Sequence, residues 1–279
     1  MSDVDRDLVS ASYGPSLSIA EAAAIDAGLR AYMLRVYNYM VLGLAVTGVA
    51  ALGAYLVGIV GALQDASYVM RGARVMAATA GLELQGRDIL LSNAGYVLFV
   101  SPLKWAIMLA PLVLVFGLSF GIYKIRPATA QVMFWIFSAL MGISLSVVFV
   151  VFAHTSIVRV FFVVAGAFVA LSLWGYTSRR YLTGLGALLI MGLVGIVLAG
   201  IANAVCGGTL VQRLVSFGGV VVFAGLTAWD TRRLKSEYLY GAMEGEATER
   251  SAIMGALSLY LSFVNLFTLL LGLLGQRDH

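Results

Sequence analysis

Seven charge-free stretches, most of them long enough to cross a bilayer, constrain this chain more than any other feature. A helix rises 1.5 Å per residue and the hydrocarbon core is about 30 Å thick, so roughly 20 apolar residues make one crossing. The stretches run Val36–Leu63, Trp105–Tyr123, Pro127–Val158, Val160–Ser178, Tyr181–Gln212, Leu214–Trp229 and Ser251–Gln276. They predict an all-α membrane protein with seven transmembrane helices. The second, fourth and sixth are near the minimum length, and the third and fifth are long enough to hold their own short loops. Composition agrees: 61 % of residues are hydrophobic and 11 % charged, where soluble domains run near half and a quarter.

The remaining segments follow from this division. Residues 1–35 carry acids and no apolar run, so they predict an N-terminal arm without a signal peptide, and the first span is expected to act as the insertion signal. Residues 36–276 form the seven-helix domain and 277–279 a short tail. The stretch 64–101 holds Arg71, Arg74, Glu83, Arg87 and Asp88 and reads as an insertion between the first two spans. Its charge-free end, Ile89–Leu103, suits a re-entrant or interfacial segment better than a span. Lys and Arg concentrate at Arg30, Arg35, Lys124, Arg126, Arg179, Arg180 and the 232–250 region, while the opposite loops hold Arg159 and Arg213. That bias predicts a cytoplasmic N-terminus and an extracytoplasmic insertion.

Several function classes are disfavoured. The basic residues sit at segment ends and form no stripe that could follow phosphates, so no nucleic-acid partner is expected. Cys206 is the single cysteine, which leaves no thiol pair for a redox or zinc site. Hydrolase motifs are missing and the two histidines are His154 and His279, so no enzyme is expected. His154 falls in an expected loop, where a solvated imidazole requires no role.

Asp230 is the one acid of fourteen attached to a predicted span. Intramembrane carboxylates cost about 2.5–3.5 kcal/mol at mid-bilayer and usually line an ion or proton path. Asp230 stands just before Arg232 and Arg233, and Arg233 at i+3 permits an ion pair. Two readings stay open: an interfacial ion pair, or an acid lining a pore mouth. On the last span Ser251, Gly255, Ser258, Ser262 and Asn265 share one face, and a hydroxyl at Thr227 precedes Asp230 by one turn. Small residues also recur at Gly117–Gly121 and at Ser138, Gly142 and Ser146, rows that let helix backbones approach.

Five segments together resemble the bacterial branch of the Bax inhibitor-1 family: Arg30–Tyr39 (RAYMLRVYNY), Ser101–Pro111 (SPLKWAIMLAP), Phe161–Arg180 ending SLWGYTSRR, Phe223–Thr231 (FAGLTAWDT) and Gly255–Phe267 (GALSLYLSFVNLF). The resemblance implies a seven-helix bundle with the last helix central. It also implies, in some members, a pH-sensitive calcium leak and, in others, regulation of a membrane-anchored protease in quality control. In leak-type members two aspartates on the sixth and seventh helices share a proton or hydrogen bond; the first corresponds to Asp230, the second falls at Ser262. Gly121 replaces an arginine common in relatives, and Arg232 a glutamine. The joint loss of an arginine and an aspartate avoids stranding a buried charge. The expected ligand is a transient calcium ion with no resident cofactor. The expected partners are the bilayer and a membrane protease or other membrane protein, with the inner membrane as location.

Overall fold

The computed structural model describes residues 19–61, 63–71, 74–78, 88–122, 125–178, 183–206, 209–241 and 245–276. The helices are α1 (Ile19–Gly58), α2 (Asn93–Phe99), α3 (Leu103–Gly121), α4 (Pro127–Leu145), α5 (Val147–Val151), α6 (His154–Thr177), α7 (Thr183–Cys206), α8 (Thr209–Gly241) and α9 (Glu246–Leu274). Three strands, β1 (Tyr68–Arg71), β2 (Arg74–Ala77) and β3 (Asp88–Leu91), lie between α1 and α2. Among the described residues seven helical segments are long and apolar enough to cross a membrane. The seven predicted spans are therefore present, with different ends.

The ends differ for one physical reason: hydropathy marks the thickness of the lipid, and helices continue beyond it. α1 has 40 residues and α8 has 33, so at 1.5 Å per residue both exceed the hydrocarbon core by several turns. The part of the predicted N-terminal arm from Ile19 to Arg35 is helical, and residues 1–18 and the tail 277–279 lie outside the described residues. The third predicted span ends earlier than expected. His154 is the first residue of α6 instead of a loop residue, and its ring meets Tyr55 edge-on at 5.4 Å.

The chain divides into two compact units. Unit 1 holds the chain up to Val41 and Thr155–Gly275; unit 2 holds Leu42–His154 with the C-terminal residues from Gln276.

In unit 2, the second half of α1 packs against α4 through the predicted small-residue row. A Cβ at Gly142 would strike the Thr47 backbone, so only glycine permits this approach. Thr47 Oγ1 bonds to the carbonyls of Gly43 and Ser138, both at 2.9 Å, and Phe134 covers Gly43. Gly117 and Gly121 behave otherwise: a Cβ at either meets open space among the described residues. That pair is not a close helix contact here.

The described part of the insertion forms a small sheet. β1 is central, pairs antiparallel with β2 and β3, and sets Arg71 directly opposite Asp88. The two form a bidentate pair at 2.8 and 2.6 Å. Donating to the Asp88 carboxylate raises the Arg71 guanidinium above its ordinary range. The sheet is tied to the end of α1 by Val60 N to Leu90 O and Ser92 N to Gly58 O. Ile89–Leu103 is thus not one continuous helix, as the expectation of no eighth span requires: it is β3, the short α2 capped by Ser92, and a turn.

In unit 1, α9 is the most enclosed span and α7 the least, with 44 % and 6 % of their most apolar windows buried. Phe263 of α9 meets Phe161 and Phe168 of α6 edge-on, at 5.7 and 5.5 Å, a favoured aromatic geometry. Leu234 of α8 fills the space over Gly255 of α9.

Candidate functional site

Asp230 lies inside α8 and not at its end, because the helix continues through Gly241. It is 5 % exposed. Across the α8–α9 contact, Ser258 Oγ donates to Asp230 Oδ2 at 2.9 Å and Ser262 Oγ donates to the same oxygen at 3.3 Å. The spacing of four residues puts both serines on one face of α9, one turn apart. Oδ1 takes no hydrogen bond from the described residues, yet no side-chain oxygen in the described protein is both sealed from solvent and unbonded. One carboxylate oxygen is therefore held and the other is open.

Asp230 and Arg233 do not form the direct salt bridge that the i+3 spacing permits. Arg233 donates to Glu237 at 2.6 Å and lies 5.5 Å from the centre of the Trp229 ring. The i+3 geometry allowed a bond to Asp230, but the continuing helix supplies Glu237 one turn further on. Arg232, one of the residues the spacing offered as a charge partner, is buried, while the hydrogen bonds of Asp230 run to serines.

The other expected residues separate. Thr227 is fully buried and its hydroxyl donates to the Phe223 carbonyl at 2.8 Å, which turns it away from Asp230. Asn265 donates to the Leu261 carbonyl at 2.8 Å. Both side chains satisfy their own helix, a common fate of such groups in apolar surroundings. Ser251 bonds to Tyr32 of α1 at 2.9 Å. Of the predicted stripe, Ser258 and Ser262 alone reach the acid.

A polar seam between α8 and α6 escaped the sequence reading. Thr231 donates to the Thr227 carbonyl at 2.9 Å, so its oxygen accepts from Ser172 of α6 at 3.0 Å. Close by, Gly175 lets α6 approach the Ala228 backbone. The signal was present in the hydroxyl and glycine row Ser172 and Gly175. An apolar groove of about 450 Å³ between α7 and α8, lined by Gly192, Gly195, Ile196, Leu214 and Gly218, is remote in character from this chemistry. It offers carbon surface and nothing to hold an ion.

Seven apolar helices and a buried carboxylate held by hydroxyls define a polytopic helical membrane protein with an acid in its interior. The profile of the family described as inhibitor of apoptosis-promoting Bax1 matches residues 29–279, and the chain belongs to the Bax inhibitor-1 family. It is 36 % identical over 253 residues to the inner membrane protein YbhL of Escherichia coli, covering 90 % of this chain and 94 % of that one. Similarity to an uncharacterized protein of Rickettsia prowazekii is equal in identity, 36 % over 252 residues, covering 90 % and 92 %. A Borreliella burgdorferi protein is 40 % identical over 172 residues.

Proposed function

We propose that this protein is a cation leak, passing calcium among other ions, with Asp230 as the single acidic group of the path. The observation that supports this most is the half-satisfied carboxylate: buried, unpaired with any described cation, hydrogen-bonded on Oδ2 and open on Oδ1. Such a group is costly in a membrane helix unless it serves an ion or a proton. Calcium takes several oxygen ligands, and Ser258 and Ser262 add two neutral ones. The family's second aspartate is replaced by Ser262, so the site has one titrating group where a pair would share a proton. The basic bias of the loops supports an N-terminus in the cytoplasm, and the likeness to YbhL supports the inner membrane.

The decisive experiment is influx into liposomes loaded with a calcium indicator, for wild type, Asp230→Asn and empty liposomes. Flux above the empty baseline that falls in Asp230→Asn is the expected result. Baseline flux in both proteins removes the leak reading.

A second reading is a non-conducting regulator that binds a membrane-anchored protease or another membrane protein. The folded β1–β3 module favours it, because an ordered sheet outside the spans is a surface on which a partner can dock. Co-purification that is lost on replacing residues 64–91 by a short linker, with flux at baseline, is its signature.

A further inference from the structure

We propose that the N-terminal half of α1 is a clamp that holds the Asp230 cluster closed through the bond between Tyr32 and Ser251. This rests on the reading of that cluster as a pathway and adds its regulation. Tyr32 is 3 % exposed and its hydroxyl meets Ser251 Oγ at 2.9 Å. Its ring stacks on Tyr238 of α8, with centroids 5.1 Å apart and planes 27° apart. Gly28, one turn earlier, lacks the Cβ that would strike the Tyr238 ring and hydroxyl. Arg35 adds an ion pair with Glu249 at 3.7 Å. α1 therefore grips both arms of the α8–α9 hairpin, Tyr238 beyond Asp230 on one arm and Ser251 ahead of Ser258 on the other.

The coupling follows from helix periodicity. Ser251 precedes Ser258 by two turns and Ser262 by three, so all three hydroxyls lie on nearly one line along α9. α9 is a continuous helix over this range. A turn or slide of α9 that releases Ser251 from Tyr32 moves Ser258 and Ser262 past Asp230 by the same amount. With the clamp engaged, both serines cap Oδ2. With it released, they leave Oδ2, and both carboxylate oxygens and the freed serines become accessible. Tyr32 and Ser251 are positioning residues in this scheme: neither touches the ion.

The test reads access to the cluster directly. In a background of Cys206→Ala with Ser262→Cys, the rate of modification by a small, positively charged methanethiosulfonate reagent is followed by mass spectrometry. Adding Tyr32→Phe, which keeps the stacked ring and removes only the hydroxyl, is expected to speed modification about five- to tenfold, the factor carried by one net hydrogen bond. Ser251→Ala is expected to match it, and the two together to give no more than either alone. Ser138→Ala, which removes a buried hydroxyl in unit 2, is the control and leaves the rate unchanged. A purely structural Tyr32 would lower the melting temperature of both variants and leave the rate where it was, which overturns the clamp. Should Tyr32→Phe fail to fold, Ser251→Ala decides alone. Calcium influx of the same proteins separates the two ideas: faster modification without flux in any protein keeps the clamp and removes the pathway. Flux with an unmoved modification rate removes the clamp and keeps the pathway.

Discussion

Two seams of small and hydroxyl residues pack this protein, and they use their oxygens differently. In unit 2, Thr47 bonds to backbone carbonyls of Gly43 and Ser138, and Ser138 donates to the Phe134 carbonyl at 2.9 Å. Helix backbone absorbs every proton there, and Gly142 lets the helices close on one another. In unit 1, Ser258 and Ser262 spend theirs on a carboxylate that has a second oxygen to spare. The first seam is finished as it stands, whereas the second retains capacity to bind something else. Helix packing and ion chemistry thus draw on the same residue types, and the acceptor decides which one results.

The comparison breaks first on Gly142→Leu. The new side chain has no room beside Thr47, and overpacking of this kind costs about 3 kcal/mol. The expected outcome is loss of the monodisperse protein in detergent, read by size exclusion and melting temperature. A fully stable Gly142→Leu would mean that the α1–α4 approach is not as close as described.

Asp230→Asn should do the opposite: abolish flux and change the melting temperature little, because removing a buried charge relieves desolvation while one acceptor remains. Large destabilisation with flux intact would make Asp230 structural. The two serines are then ranked by distance. Ser258→Ala, losing the 2.9 Å bond to a charged group, is expected to cost about 1.5–2 kcal/mol and Ser262→Ala, at 3.3 Å, about 1 or less. Denaturant titration in mixed micelles measures both, and a reversed order would contradict the geometry.

Ser262→Asp sharpens the contrast further. Two carboxylates at that separation titrate as a coupled pair, so flux that varies little between pH 6 and 8 in wild type should acquire a pH dependence in this variant. The smallest effect belongs to Arg233→Gln. Exposed Arg233 makes an i, i+4 pair with half-buried Glu237, worth about 0.5 kcal/mol, and flux should be unaltered. If Arg233→Gln abolished flux as Asp230→Asn is expected to, Arg233 would have to act on the acid after all.

Much of this was legible from residues alone. Seven spans follow from charge-free length, and the pairing of Asp230 with Ser262 follows from spacing and family resemblance together. What was lost has specific causes. The end of α8 was set at Trp229 because charges follow, yet Arg233 and Glu237 satisfy one another along the helix and let it continue. With the helix end placed there, Arg233 was left without Glu237 as a partner, which kept an ion pair with Asp230 among the open readings. The small sheet gave only weak signals, four-residue strands with Val69, Val75 and Ile89 among charged neighbours. Its stability comes from long-range bonds to the end of α1 that no local pattern displays. Asn265 shares a face with the two serines and Thr227 stands one turn before Asp230, but spacing cannot show that a hydroxyl or amide has turned back onto its own helix.

The slight enclosure of α7 sets how the sequence of this chain can drift. Leu188, Met191, Leu198 and Ile201 all present more than half their surface outward, and a surface that faces acyl chains asks only to be oily. Such a helix tolerates exchange among leucine, isoleucine, valine, methionine and phenylalanine at most positions, and its length can follow the thickness of the host bilayer. α9 has no such licence, since nearly every position touches a neighbour. Among descendants of one ancestor, α7 should diverge fastest and keep its oiliness while losing its letters, and pairwise identity measured over α7 alone would underrate the kinship of the whole.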